Sequence, residues 1–216
     1  MERYIKPTSV IDSDNSVIKE KAQKVTKDQE GDIKKAQSLF YFVRDEIKYN
    51  PYVPRYLPEH FRASNTLARR EGFCIQKAVL LAALGRAIEI PSRLGFSIIR
   101  NYLLPEKMAD LLKDNVITDH GYTELYLSGT WVKATPAFDN TMCQKNRIMP
   151  VEFDGKNDAR FHSHTRDGKL HIEYLLDRGP YDDAPLDEIH EWVTSVLKPN
   201  AKKIILGDES LEKNKK

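Results

Sequence analysis

The fold is decided by the stretch GFCIQKAVLLAALGRAIEIPSRLGF, residues 72–96. Its centre is apolar on every side, with an unbroken apolar run from Ala78 to Leu84. A helix without a polar face is a buried helix, so the pattern predicts a buried helix from Cys74 to about Ile88. Pro91 ends the helical region, and Arg93–Ile99 has the character of a strand.

The segments around this helix change from helical to strand-forming along the chain. The polar residues Gln76 and Lys77 lie in its first turn, and we expect that end to reach the surface. Helices are predicted upstream and a hairpin with Gly129 in its turn is predicted downstream. This order predicts an α+β domain, in which the buried helix packs on a small antiparallel sheet. The predicted helices are Ser16–Lys27, one beginning at Asp32, Ser64–Arg70 and Pro185–Leu197, and the predicted strands include Thr118–Leu127, Trp131–Ala134 and His171–Leu176.

Composition excludes two classes of protein. The 216 residues carry a net charge of +2. Residues 198–216 contain six lysines and three acidic residues, so the rest of the chain carries a net charge of about −1. The rest of the chain is not basic, which argues against nucleic acid as a partner. No apolar run approaches the ~20 residues that span a bilayer, and no apolar leader follows Met1, so we expect a cytoplasmic protein with no membrane partner. Its two cysteines are then reduced thiols.

Cys74 occupies a position that favours thiol chemistry. At the start of a helix, free backbone N–H groups and the helix dipole stabilise an anion, which lowers the pKa of a thiol. The same N–H groups are candidate donors to an oxyanion. His120 follows at the start of the hairpin and is a candidate base. Taken alone, a cysteine on an apolar helix is more often a small core residue, so the residues by themselves leave both interpretations open.

Three stretches together carry a family resemblance. They are AQSLFYFVRDEIKYN (36–50), SNTLARREGFCIQKAVLLAALGRAIEIPSRLGF (64–96) and HGYTELYLSGTWVKATP (120–136). A Gly-x-Cys that opens a buried helix, an Arg-Ala-x-x-Ile-Pro-x-Arg segment, and a His-strand followed by a Trp-strand resemble the transglutaminase-like superfamily. The resemblance implies a papain-like core with Cys74 as nucleophile and His120 as general base and acid. That family includes transglutaminases, cysteine peptidases and peptide N-glycanases.

The third catalytic position departs from the family pattern. An Asp that orients the imidazole stands four residues after the Trp in the family, whereas this chain has Thr135. A hydroxyl can accept a hydrogen bond from the ring N–H, but it supplies no negative charge. Asp139 is the alternative orienting residue if a turn at Pro136 brings it back. Three outcomes stay open: a dyad assisted by Thr135, a shifted Asp, or an inactive protein. Glu124 lies too far along the strand, and we expect it to form a cross-strand or surface pair.

Other features of the chain add few candidates. Asn65 and Tyr49 are weak candidates for an oxyanion donor beside the backbone N–H of Cys74. The histidines 162, 164 and 171 match no common metal-ligand spacing, and we interpret them as part of a polar loop. There is no glycine-rich phosphate loop, so neither a cofactor nor a metal is predicted.

The sequence predicts one domain over residues 1–200. Its family core covers about 36–140, and an ordered extension over 145–197 is expected to pack against this core and shape its cleft. A charged tail covers 201–216.

The predicted function is hydrolysis of an amide, or acyl transfer from it, through a thioester on Cys74. The substrate is a peptide, a protein side chain of Gln or Asn type, or a small amide. The alternative is a catalytically impaired binding or scaffold module that keeps the fold. The acyl donor, the acceptor and the oligomeric state do not follow from the sequence.

Overall fold

The computed structural model describes residues 1–198 and residue 201. It has the predicted α+β organisation, with helices before an antiparallel sheet. The helices are α1 (Ser16–Thr26), α2 (Asp32–Glu46), α3 (Ala63–Arg69), α4 (Cys74–Ala87), α5 (Glu106–Ala109), α6 (Asn140–Lys145) and α7 (Leu186–Val196), and the strands are β1 (Lys48–Tyr49), β2 (Glu71–Gly72), β3 (Ser92–Asn101), β4 (Val116–Leu127), β5 (Thr130–Ala134) and β6 (Ile172–Tyr181).

The central helix is α4, and every residue from Ile75 to Arg86 is buried. It packs against α1, α2 and α3 on one side and against β3 and β4 on the other. This two-sided packing explains why its sequence is apolar all round. The predicted buried helix from Cys74 to about Ile88 is therefore confirmed within one residue at its end.

The first turn of α4 differs from the prediction, because Gln76 and Lys77 are fully buried. Lys77 Nζ donates to the carbonyl oxygens of Arg44, at 2.9 Å, and Ile47, at 2.5 Å. These are the last carbonyls of α2, which have no partner within their own helix. Gln76 donates in the same way to the carbonyl oxygen of Pro54, at 3.0 Å. The expectation that this end reaches the surface is wrong, because both side chains are buried and donate to backbone carbonyl groups of other segments.

The sheet has the strand order β5–β4–β3–β6, and every neighbouring pair is antiparallel. In its register, Ser97 of β3 lies opposite both His120 of β4 and Asp177 of β6. The predicted pairing of Glu124 is confirmed, since its carboxylate contacts Arg93 Nε at 2.5 Å across the two strands. Strand β6 comes from the segment after residue 145, so that segment completes the sheet.

Two further predictions concern the ends of the chain. The helix predicted over Pro185–Leu197 is α7, which packs on β4. The predicted charged tail over 201–216 lies outside the described residues except for Ala201, which is buried. Among the residues that the structure describes, no helix is both long enough and apolar enough to cross a membrane.

Candidate active site

Cys74 is the first residue of α4, and its thiol is free and half-buried. Its position is fixed from upstream by the short parallel pair of β1 and β2, which ends at Gly72. The backbone N–H groups of Gly121 and Ile75 lie close enough to the Cys74 sulfur to lower the pKa of the thiol. Gly121 directly follows His120, so this contact joins the start of the helix to the strand that carries the histidine.

The absence of a side chain at Gly121 permits this contact. A Cβ at this position would lie 3.1 Å from Ile75 Cα, which is backbone and cannot give way easily. The helix and the strand therefore meet backbone to backbone. From the sequence, Gly121 is only one residue of the predicted strand Thr118–Leu127. Its role depends on the packing of β4 against the start of α4, which the sequence does not show.

Cys74 and His120 line the same cavity, which has a volume of about 240 Å³. Its walls come from the end of β1, from β3 and β4, from the segment around α5, and from the region of α6. Phe138 and Phe161 contribute aromatic rings beside the two candidate catalytic residues. The cavity thus lies where helix and sheet meet and is open to the candidate nucleophile.

His120 is 2% exposed, and its ring packs on Phe161 with the ring centroids 4.8 Å apart. Burial, together with the charge of Arg160, lowers the pKa of His120 to about 3, and Asp177 acts in the opposite direction. The imidazole is therefore neutral at pH 7. Its Nε2 is buried and has no hydrogen-bond partner among the described residues.

The thiol is also uncharged at neutral pH. Burial raises the pKa of Cys74 to about 11, and the nearby carboxyl group of Asp119 adds to the increase. The N–H groups of Gly121 and Ile75 and the charge of Arg55 lower it by less. The prediction of a lowered thiol pKa is wrong for this structure, because burial outweighs the start of the helix. The pair therefore rests as thiol and imidazole, and not as thiolate and imidazolium.

Thr135 follows the last residue of β5 and is 1% exposed. Ala134 pairs with Thr123, so Thr135 lies on the same side of the sheet as Tyr122 and His120. Its backbone N–H donates to the carbonyl oxygen of Ala159 at 3.0 Å. Its Oγ1 is buried without a partner in the described part of the chain, as is His120 Nε2.

Asp139 is held by the backbone of two other segments. Its Oδ1 accepts from the N–H of Met142 and caps α6, and its Oδ2 accepts from the N–H of Tyr49, each at 2.8 Å. It makes no hydrogen bond with His120, whose Nε2 is unpaired within the described residues. The structure therefore gives Asp139 a structural role that the sequence did not suggest.

The two candidate oxyanion side chains lie in different places. Asn65 donates to the carbonyl oxygen of Glu59 at 2.8 Å on the surface and does not line the cavity. Tyr49 lines the cavity, and both burial and the nearby Cys74 thiol raise its pKa. Its phenol is therefore protonated at neutral pH and can donate a hydrogen bond.

Two buried side chains near the site, Asp119 and His171, were not predicted from the sequence to lie there. Asp119 is buried, and its carboxyl group is close enough to Cys74 to raise the pKa of the thiol. It was not predicted, because strand alternation places its side chain on the face of β4 opposite to that of His120. His171 was expected in a polar loop, but it is 1% exposed and lines the cavity. That expectation is wrong because the segment before β6 folds inward against Phe138 and Phe161.

A family model described as the transglutaminase-like superfamily matches residues 19–136. A solved structure of a putative cysteine protease from Cytophaga hutchinsonii is similar with a TM-score of 0.50 and 16% identity, over 83% of this chain and 55% of that one. A putative protease from Parabacteroides distasonis gives a TM-score of 0.40 and 15% identity, over 55% of this chain and 23% of that one. This chain thus spans about half the length of the first of these proteins. No curated protein matches it.

Proposed function

Because this chain belongs to the transglutaminase-like superfamily, we propose that it is a cysteine-dependent enzyme that hydrolyses or transfers an acyl group through a thioester on Cys74. The observation that carries the proposal is that Cys74, at the start of a buried helix, and His120, on the neighbouring strand, line one cavity. A nucleophile and a base must be close in space to act together. The thiol of Cys143 offers no such pairing, because it is buried in the core.

Because the Cys74 thiol and the His120 imidazole are both uncharged before the reaction, proton transfer is expected to accompany attack on the carbonyl and not to precede it. Separating a proton from Cys74 before attack would create two charges in a buried site, which is costly. We therefore propose that His120 takes the thiol proton as the sulfur attacks the substrate carbonyl. The imidazolium then gives that proton to the departing amine or alcohol, and a thioester remains. Water or an amine attacks the thioester in the second half, and His120 takes and returns a proton again.

The negative charge that forms on the carbonyl oxygen needs hydrogen-bond donors. The backbone N–H of Cys74, at the start of α4, is one proposed donor. Tyr49 is the second, because its protonated phenol belongs to the wall of the cavity near the sulfur. Asp139 supports this role indirectly, since it holds the backbone N–H of Tyr49.

Thr135 is the proposed orienting residue for the imidazole. It lies on the same side of the sheet as His120, and its hydroxyl and His120 Nε2 are both buried without other partners in the described residues. A hydrogen bond from Nε2–H to Oγ1 would satisfy both groups. Asp139 remains the competing candidate. Thr135→Val tests the assignment, because it removes the acceptor and should lower acylation without loss of folded protein. An unchanged acylation rate in this variant would favour Asp139.

The competing function is a binding module without catalysis. The absence of a carboxylate at position 135 favours it, because an imidazolium formed at His120 has no dedicated counter-charge. In that case the cavity would still bind a ligand, but no covalent step would follow.

The test is turnover of p-nitrophenyl acetate, which reports acylation of a thiol by release of p-nitrophenolate. We expect Cys74→Ala to abolish the activity and His120→Ala to reduce it by about 10²–10⁴-fold. Cys143→Ala removes the other thiol, which is buried away from the cavity, and should retain activity. Equal activity in the wild type and in Cys74→Ala would contradict the proposed function and favour the binding module.

A further inference from the structure

The cavity beside Cys74 has a chemical character of its own. None of its lining residues in the described chain is Asp, Glu, Lys or Arg. Most of the wall is apolar, with Ile99 and Ile117 from the sheet, Phe138 and Phe161 from the loops, and Met108 from α5. An ionised group placed here would lose its hydration and find no counter-charge. The cavity therefore selects uncharged groups.

The size of the cavity limits what it can hold. At about 240 Å³ it is larger than an engineered apolar cavity of ~150 Å³ that binds benzene. In proportion to benzene, it has room for about ten non-hydrogen atoms. An octanoyl group has this size, and so does a phenylalanine side chain with the carbonyl that follows it.

His171 adds one polar feature to this apolar wall. It is 1% exposed, and in the part of the chain that the structure describes neither Nδ1 nor Nε2 makes a well-aligned hydrogen bond. Burial and the neighbouring His162 side chain lower the pKa of His171 to about 4, and a contact with the His162 backbone opposes this shift. A neutral imidazole has one donor and one acceptor, and leaving both unpaired in a buried site is unfavourable.

The position of His171 relates it to the reacting atoms. The Phe161 ring neighbours both histidines, with its centroid 4.8 Å from that of His120 and 6.2 Å from that of His171. Cys74, His120 and His171 line the same cavity. An acyl group that fills this cavity from a carbonyl at Cys74 would therefore come close to His171.

We propose that the cavity binds the acyl part of the substrate, and that this part is an uncharged, apolar group of about ten non-hydrogen atoms with a neutral hydrogen-bonding group that meets His171. This inference rests on the proposed function, because it assumes that the carbonyl reacts at Cys74. Its chemistry is shared by a medium-length fatty acyl chain and by a large apolar amino-acid side chain.

The test compares p-nitrophenyl esters under conditions where each remains dissolved. The series is acetyl, butanoyl and octanoyl, with hemisuccinyl as a charged acyl group and 3-phenylpropanoyl as the arm that represents a phenylalanine side chain with its carbonyl. Each kcat/KM is divided by the rate of the same ester with free N-acetylcysteine, which removes differences in intrinsic reactivity. Apolar burial gives up to about fourfold per methylene. We expect octanoyl to exceed acetyl by at least about 50-fold and hemisuccinyl to fall below butanoyl.

The outcomes separate the inference from the proposed function. If no ester, acetyl included, acylates Cys74, the proposed function fails. If acetyl reacts but octanoyl and 3-phenylpropanoyl gain nothing, or if hemisuccinyl reacts as fast as butanoyl, the inference about the cavity is overturned and the function stands. A larger gain for one of the two long arms identifies the source of the acyl group.

Two variants test the walls of the cavity. Met108→Glu places a carboxylate in the lining and should reduce the ratio of octanoyl to acetyl at least tenfold. Lys107→Glu adds the same group to the exposed neighbour on the same helix and should leave the ratio unchanged. Equal ratios in both variants and the wild type would contradict the location of the acyl group.

The role of His171 is tested with an 8-hydroxyoctanoyl ester beside the octanoyl ester. We expect the wild type to favour the hydroxylated chain relative to a His171→Phe variant by about tenfold. The ratio of the two esters is taken within each protein, so any general effect of the substitution on the cavity acts on both esters and cancels. An unchanged preference in His171→Phe would overturn the hydrogen bond to His171.

Discussion

At the scale of single residues, the proposed chemistry depends on the charge states of two groups, the half-buried thiol of Cys74 and the buried imidazole of His120. Burial raises the pKa of Cys74 to about 11 and lowers the pKa of His120 to about 3. Neither group changes its protonation between those values, so a thiol and an imidazole face the substrate over the whole physiological range. This state distinguishes the site from one that holds a preformed thiolate.

The uncharged pair predicts an unusual pH profile for acylation by p-nitrophenyl acetate. From pH 5 to pH 9 the wild-type rate should be nearly constant, because the active neutral pair is fully populated. In His120→Ala only the thiolate can attack, so the rate should rise about tenfold per pH unit up to a pKa near that of Cys74. A stopped-flow profile of both proteins checks this. A tenfold slope in the wild type would show that His120 is not the base.

Sequence motifs are enough to propose Cys74 and His120 as the catalytic pair, but they do not predict the pKa values of the two groups. A helix start is visible in the sequence around Gly72, and it argues for a lowered thiol pKa. The thiol pKa is raised instead, because elements far away in the chain bury the two groups. Strand β4 lies against Cys74, and the loop that carries Phe161 covers His120. Burial at a contact between elements is a tertiary quantity, and periodicity reports only which face of one element is apolar.

At the scale of elements, the site depends on how closely α4 approaches β4. The helix was predictable because its sequence is apolar on every face, and the hairpin because of the turn at Gly129. The burial of Gln76 and Lys77 was not predictable, because their partners are carbonyl groups of distant segments, a loop at Pro54 and the last turn of α2. A polar residue in a helix looks solvent-facing until such a partner is known.

Gly121→Ala tests the close approach of the two elements. The new methyl group would lie 3.1 Å from Ile75 Cα, so the start of α4 must shift. We expect a loss of about 1–3 kcal/mol in the free energy of unfolding and at least a tenfold loss in acylation rate, since Cys74 moves with the helix. Urea unfolding and p-nitrophenyl acetate kinetics measure the two effects.

Gly129→Ala provides the matched control. Its φ of +89° strains an alanine, but no atom lies within 4 Å of the added methyl group. It should cost about 1 kcal/mol of stability and leave the acylation rate unchanged. Parallel losses of activity in both variants would mean that stability alone, and not the position of Cys74, explains the effect of Gly121→Ala.

At the scale of the whole molecule, the segment after residue 145 is part of the site. It supplies β6 to the sheet, and it brings Phe161 and His171 to the cavity. Arg86, which is 3% exposed, joins the N-terminal segment to the segment between β6 and α7 by donating to the carbonyl oxygens of Lys6, at 2.7 Å, and Asp182, at 2.6 Å. The sequence predicted an ordered extension that packs against the core and shapes the cleft, but which of its residues line the cavity could not be predicted from a segment without a family motif.

Acid sensitivity of the fold is a consequence of burying His120 as a neutral group. Its pKa is about 3 in the folded protein against 6.5 for an exposed histidine. Between these values the unfolded state binds more protons, so stability falls as the pH is lowered. The contribution of this one group approaches about 1.4 kcal/mol per pH unit.

His120→Phe should remove this contribution while keeping a ring against Phe161. Urea unfolding of both proteins at pH 7, 6, 5 and 4.5 measures it. We expect the difference in free energy of unfolding, variant minus wild type, to grow as the pH falls through this range. Other titrating groups act equally in both proteins and cancel. A difference that stays constant with pH would mean that His120 becomes protonated in the folded state.

The central claim is that Cys74 carries the acyl group. The most direct measurement is to mix the protein with p-nitrophenyl octanoate, quench in acid within the first turnover, digest, and locate the octanoyl group by peptide mass spectrometry. The account predicts one octanoyl group on the peptide that contains Cys74, removable by neutral hydroxylamine and absent from Cys74→Ala. An adduct on Cys143 instead, or no covalent adduct at all while the ester still binds, would contradict it.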